Sequence, residues 1–250
     1  MYKLGLIGNP LSHSFSKEFF ESKFISKNIT NFSYKLYNLK EIEGLNDIIH
    51  KHDLIGLNVT SPYKKSAIKY LDVLDDISHA TQSVNTIFIN KKTNKKFGFN
   101  TDYIGFNETL LSLNITKHKQ ALILGSGGVS STISHCLYKK NINPVIVSRN
   151  PKLNMVTYNN LQHILKKFTL IINTTPLGQF PNINMCPDIP YELLSKQHHC
   201  IDLIYNPTNT LFLQKAKLNG ASVINGHKML IKQAEASWSI WNNLINDINV

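Results

Sequence analysis

Five short runs, apolar but for Asp202, punctuate the second half of this 250-residue chain, at 121–124, 145–147, 170–172, 201–203 and 223–224. Each is too short for a helix and lacks the alternation of a half-exposed strand, so each predicts a strand buried on both faces. Helical segments fall between several of them, and strands alternating with helices imply a parallel sheet built from βαβ units. The first run continues into Gly125-Ser126-Gly127-Gly128-Val129-Ser130, which reads as strand, turn and helix start in one line. Without side chains, backbone N–H groups can approach a pyrophosphate, and the helix N-terminus adds partial positive charge. Glycine turns also serve tight βα connections. Here a strand precedes, a helix follows and a basic residue closes the next strand, the context that makes this turn a nucleotide loop.

That basic residue is Arg149, the single arginine among 27 Lys and Arg residues. A dinucleotide-binding fold places at this point an acid for the adenosine 2′-OH or a basic group for a 2′-phosphate. Guanidinium suits phosphate because its fixed fork donates bidentate hydrogen bonds. In a chain otherwise restricted to lysine, it points to NADP(H) and so to a redox enzyme. Asn173-Thr174-Thr175-Pro176-Leu177-Gly178 follows the third run, at a strand's carboxyl end, and is expected to line the cofactor.

A formal charge of +11 would by itself admit nucleic acid as a partner. The lysines are scattered, however, and the one dense cluster, Lys91-Lys92-Thr93-Asn94-Lys95-Lys96, reads as a hairpin tip; no nucleic acid is expected. Cys136, Cys186 and Cys200 are odd in number, widely spaced and without a C-x-x-C pair, which suits a reducing compartment better than a disulfide frame. The ten histidines lack ligand spacing, and no metal is expected. No apolar run approaches membrane-spanning length, and the first stops at Gly8-Asn9-Pro10, too early for a secretory signal. A cytoplasmic protein without a membrane partner is the expectation.

In the first half, strands are expected at 2–7, 32–37 and 54–59, with helices at Phe19, Phe20 and Phe24 and over 41–51. Pro62 suits the first turn of a further helix carrying Ala67, Ile68 and Leu71. A hairpin follows over 85–89 and 97–100, then a helix over 103–113; an amphipathic helix from His227 through Trp241 ends the plan. Polar segments follow the strands at 12–16, 58–64 and 100–102, and their hydroxyls suit a carboxylate or a polyol. Ser14 and Ser16 could equally cap a helix, as could Asp102. A lysine beside a carboxylate can shuttle a proton, but spacing alone does not choose Lys64 over Lys65 and Lys69.

These segments resemble the shikimate dehydrogenase family over essentially the whole chain. The resemblance rests on Gly8-Asn9-Pro10 with Ser12-His13-Ser14-Phe15-Ser16, Asn58-Val59-Thr60-Ser61-Pro62-Tyr63-Lys64, Ser83-Val84-Asn85-Thr86 and Asn100-Thr101-Asp102-Tyr103-Ile104-Gly105. It continues through the glycine loop, Asn173-Thr174-Thr175-Pro176, Asp202-Leu203-Ile204-Tyr205 and Gly226-His227-Lys228-Met229-Leu230-Ile231-Lys232-Gln233-Ala234. It implies an α/β protein of two domains. Residues 1–102 would bind substrate, 103–226 would form a doubly wound Rossmann-like NADP-binding domain, and helix 227–250 would return to the first.

The implied reaction is the reversible NADPH-dependent reduction of 3-dehydroshikimate to shikimate, on the route to chorismate and the aromatic amino acids, by a monomer or homodimer. Lys64 would be the acid/base and Asp102 its partner, both touching substrate along with Ser14, Ser16, Thr60, Asn85, Tyr205 and Gln233. Gly125, Ser126, Gly127, Gly128, Val129, Ser148, Arg149, Asn150, Lys152, Thr174, Ile204 and Gly226 would hold the cofactor. Three positions depart from the usual pattern: Ser148-Arg149-Asn150 stands for Asn-Arg-Thr, Ser83 for alanine and His227 for leucine. A quinate or shikimate dehydrogenase using NAD would favour an acid at the end of the second strand, where none stands. A non-catalytic sensor would dispense with Lys64 or Asp102, and both are present.

Overall fold

Alternating strands and helices fold into two sheets in the computed structural model, which describes residues 1–11, 14–113 and 118–249. Contacts group Met1–Ile104 with Gln233–Val250 as one unit and Gly105–Lys232 as the other.

In the first unit, β1 (Tyr2–Gly8), β2 (Phe32–Asn38), β3 (Gly56–Val59), β4 (Val73–Leu74), β5 (Thr86–Ile89) and β6 (Lys96–Phe99) form a mixed sheet in the order β2-β1-β3-β5-β6-β4. Crossovers through α1 (Phe15–Ser26) and α2 (Leu45–His52) make β1 parallel to β2 and β3, whereas β5 runs antiparallel to β3 and β6. Side chains of a strand point alternately to opposite faces. Ile7, Leu57, Ile87 and Ile89 accordingly pack with Leu45 and Ile49 of α2. Leu4, Leu6 and Phe88 pack with Phe20 and Phe24 of α1 and with Ala234, Trp241 and Ile245 of α8 (His227–Asn249). The indole of the fully buried Trp241 donates to the Ile87 carbonyl at 2.8 Å. The last helix thus runs beyond Trp241, and its later turns belong to the first sheet.

The helix expected after Pro62 is instead a short 3-10 segment, Ser66–Tyr70. Tertiary bonds, not helical periodicity, hold its entry: the Tyr63 hydroxyl donates to the Leu39 and Lys40 carbonyls, and Val84 N–H donates to the Lys64 carbonyl. β4 and α3 (Asp76–Thr81) follow without an apolar pattern to announce them; Asp75 starts α3 by accepting from Ser78 N–H at 2.8 Å.

In the second unit, after α4 (Thr101–Leu110), come β7 (Gln120–Leu124), β8 (Asn143–Val147), β9 (Met155–Val156), β10 (Leu170–Asn173), β11 (His199–Asp202) and β12 (Ser222–Ile224). They pair in parallel in the order β12-β11-β10-β7-β8-β9, with α5 (Gly128–Lys139), α6 (Leu161–Ile164) and α7 (Leu211–Leu218) in the connections. Chain order runs outward in both directions from the β7–β10 pair, the topological switch point of a doubly wound sheet. Residues 121–124 and 170–172 are fully buried there, as runs apolar on both faces require.

Candidate active site

Backbone pairing beyond the ends of β3 and β6 sets the first group of polar residues side by side. Val59 N–H donates to the Asn85 carbonyl, Val84 N–H to that of Lys64, and Asn85 N–H to that of Phe99. Lys64 Nζ lies 2.5 Å from Asp102 Oδ2, while Asn85 Nδ2 donates to Asp102 Oδ1 at 3.0 Å and to Gln233 Oε1 at 3.4 Å. Asp102 stands in the first turn of α4 and is 5% exposed, with its two oxygens facing Lys64 and Asn85. Lys65 and Lys69 are exposed, so of the three neighbouring lysines it is Lys64 that meets the carboxylate.

Behind Asn85 lies a buried polar cluster. Asn85 Oδ1 accepts from Thr101 N–H at 2.7 Å; because a backbone N–H can only donate, this turns Nδ2 towards Asp102. The Thr86 and Thr101 hydroxyls lie 2.8 and 3.1 Å from Ser237 Oγ, which also accepts from Asn58 Nδ2 at 3.0 Å. Tyr34 donates to Asn58 Oδ1 at 2.8 Å. Thr86 Oγ1 donates to Asn85 Oδ1 at 3.2 Å, so a continuous hydrogen-bonded chain links Tyr34 to Lys64. Satisfied buried networks of this kind hold one geometry.

Ser14 occupies the N-cap position of α1 without making a capping bond, and Thr60 sits in the turn directly after β3. Ser12 and His13 lie outside the described residues. Sequence reasoning does not single out Tyr34 or Ser237 for this cluster. A signal exists for Ser237, which stands four residues after Gln233 on a helix that buries Ala234 and Trp241.

A second group lies along the carboxyl edge of the other sheet. Gly125 has φ +105°, and a Cβ there would come within 2.8 Å of Thr175 Cγ2. Thr174 Oγ1 crosses the switch point to donate to the Leu124 carbonyl at 2.8 Å. Gly127 precedes α5 without a side-chain capping bond, and a Cβ added to it would meet no atom within 4 Å. Ser126, Gly128 and Val129 flank this opening. Ser126 Oγ lies 3.1 Å from Ser148 Oγ, which bonds the backbone N–H and carbonyl of Asn150, each at 3.2 Å. That small turn leaves Arg149, Asn150 and Lys152 exposed. Gly226 is held by packing: a Cβ would stand 2.0 Å from the Leu203 carbonyl oxygen, and its N–H donates to the Ile204 carbonyl at 3.0 Å. Ile204 is buried and Tyr205 half-buried beside it.

Asp202, one strand over from Asn173, is fully buried and has no salt-bridge partner among the described residues. Oδ1 accepts from Asn173 Nδ2 and Ile204 N–H, both at 3.0 Å, and Oδ2 accepts from Thr210 Oγ1 at 2.6 Å. Burial pushes its carboxyl up to about 6, against the pull of these three donors. A carboxyl whose folded pKa exceeds its unfolded value of about 4 binds more protons folded than unfolded within that window. Stability is therefore lost as pH rises through the window, by about 3 kcal/mol in all. Asp202→Asn is expected to match the wild type at about pH 4 and to be more stable by up to about 3 kcal/mol at about pH 7.5. Urea unfolding at both pH values measures this; a difference that does not grow with pH refutes it.

Among the described residues no cluster of three His, Cys, Asp or Glu could hold a metal ion, and no helix is long and apolar enough to cross a membrane. The family profile of the shikimate dehydrogenase substrate binding domain matches residues 6–87. Shikimate dehydrogenase (NADP(+)) of Methanococcus maripaludis is 37% identical over 266 residues, covering 99% of this chain and 94% of that protein. The chain belongs to the shikimate dehydrogenase family. A shikimate dehydrogenase crystallised with NADP+ superimposes with a TM-score of 0.86 at 32% identity, over 97% of this chain and 90% of the other. The enzyme of Thermus thermophilus, crystallised with NADP(H) and shikimate, gives 0.85 at 26% identity, over 97% and 94%. The stretch matched by the family's substrate binding domain contains Ser14, Ser16, Thr60, Lys64 and Asn85. Asp102 and Gln233 lie outside it and reach the same cluster through α4 and α8.

Proposed function

We propose that this chain is an NADP-dependent oxidoreductase that interconverts 3-dehydroshikimate and shikimate in aromatic amino acid biosynthesis. The observation that carries the reading is the Lys64–Asp102–Asn85 constellation, an ammonium 2.5 Å from a carboxylate whose other oxygen is held by an amide N–H. Family membership supplies the substrate class.

The second unit fits a phosphorylated dinucleotide: the opening at Gly127 leaves room for a pyrophosphate at the start of α5, and the exposed Arg149 offers a fork for a 2′-phosphate. Gly125, Ser126, Gly128, Val129 and Thr174 would line that cradle. Ser148, Asn150 and Lys152 would flank the phosphate, and Ile204 and Gly226 would border the nicotinamide. When bound, NADPH supplies the hydride that reduces the ring ketone.

This chain's residues manage the proton and the orientation. In the reducing direction Lys64 donates a proton to the oxygen that becomes the alcohol, and in the oxidising direction the same nitrogen removes it. Asp102 holds the ammonium in place, and Asn85 fixes the carboxylate. Ser14, Ser16, Thr60, Tyr205 and Gln233 would bind the substrate's carboxylate and hydroxyls, and orienting both reactants is where much of the rate gain arises. The working form would be a monomer or a homodimer. Free cysteines, with Cys136 and Cys200 buried and pushed up to about 12, support a cytoplasmic setting.

Purified protein is expected to reduce NADP+ when given shikimate, followed by absorbance at ~340 nm, the nicotinamide band. Reduction with quinate but not shikimate would reassign the substrate, faster turnover with NAD would reassign the cofactor, and no shikimate-dependent signal would reject the reading.

A further inference from the structure

We infer that Asp202 is a positioning residue for the loops that face the cofactor, resting on the function proposed above. Its carboxylate is the common acceptor for three segments: the residue that ends β10, the backbone just beyond β11, and the N-cap of α7. The connections run further. Asn173, held by Asp202 through Nδ2, uses its Oδ1 to accept from Thr175 N–H at 3.0 Å and from Thr175 Oγ1 at 2.7 Å, which orders the loop carrying Thr174. Ile204, held through its N–H, receives Gly226 N–H on its carbonyl. Thr174, Ile204 and Gly226, from three strand ends, are thereby tied to one buried oxygen pair. Ligands of doubly wound sheets bind outside these strand ends, and Asp202 sits one layer behind them.

A fully buried carboxylate without a cation is a costly way to stabilise a fold, because desolvation is offset only by hydrogen bonds from neutral groups. Its charge strengthens each of those bonds, so it holds the loops more firmly than an amide of the same shape. An asparagine would keep Oδ1 as acceptor but place an N–H₂ against the Thr210 hydroxyl, which must turn its proton elsewhere. Strain retained at a functional site in exchange for activity has this form.

The discriminating variant is Asp202→Asn, measured for both stability and cofactor binding. Binding is read from the fluorescence of NADPH titrated onto the protein, without substrate. The expected result is a five- to tenfold higher Kd for NADPH in a protein more stable than the wild type at neutral pH. The isotope effect on kcat with 4-deuterated NADPH should also rise, as hydride transfer slows relative to product release. A variant whose Kd stays within twofold of the wild type overturns the inference, as does one whose stability and affinity fall together. If wild-type protein fails to oxidise shikimate, the proposed function fails, but the NADPH titration still decides the role of Asp202.

Discussion

Lys64→Ala is expected to lower turnover of 3-dehydroshikimate by about 10³, within the ~10²–10⁴ that a positioned proton donor contributes. The KM for shikimate should change only a few-fold, because the other substrate contacts proposed for the first unit remain. The size follows from the surroundings. Lys64 Nζ is 2.5 Å from a carboxylate that is itself 5% exposed, so no other described lysine side chain is placed to substitute for it at Asp102. Removing the ammonium leaves Asp102 with Asn85 as its side-chain donor, and an under-paired buried charge will also lower stability. Thermal unfolding of the variant separates that from the catalytic effect. Lys65→Ala is the internal control: Lys65 is the next residue and exposed, and its variant should turn over like the wild type. Near-normal turnover by Lys64→Ala would refute the assigned proton transfer.

The sheet of the second unit is legible in the sequence because its central strands are buried on both faces and so stand out as apolar runs. β9 is not, since a two-residue edge strand needs no such run; it is held by pairing of Ile146 with Met155 and Val147 with Val156. The same logic explains the segment after Pro62. Helical spacing of Ala67, Ile68 and Leu71 predicts a helix, but Tyr63 is drawn to the Leu39 and Lys40 carbonyls, contacts between residues more than twenty positions apart that no local pattern reports. In the first site, residue type leaves Lys64, Lys65 and Lys69 open and the family resemblance names Lys64 with Asp102, while the structure adds that Lys64 meets the Asp102 carboxylate and that Lys65 and Lys69 are exposed. In the sequence Asp202 is only a polar residue inside the strand expected over 201–203 and one letter of the matched segment Asp202-Leu203-Ile204-Tyr205. Its connections become visible only when Asn173 and Thr210 are brought to it from 29 residues before and 8 after.

Arg149→Ala is expected to raise the KM for NADPH roughly thirtyfold and that for NADH far less, as removal of a charged hydrogen bond worth about 2 kcal/mol implies. The local structure favours a clean result. Arg149 is exposed at the end of β8, in a turn made by Ser148 and the backbone of Asn150, so truncating it removes no core contact and the fold should be unaffected. Arg149→Lys should recover only part of the preference, since an ammonium cannot reproduce the two parallel bonds of guanidinium to a phosphate. Lys152→Ala should act in the same direction but more weakly, as a single exposed charge. Because the site is open to solvent, added salt should narrow the wild type's preference for NADPH over NADH by screening, and should do so less in Arg149→Ala, where the screened charge is already gone. Equal changes in the two Michaelis constants would assign Arg149 to general electrostatic attraction and leave the 2′-phosphate without its proposed partner.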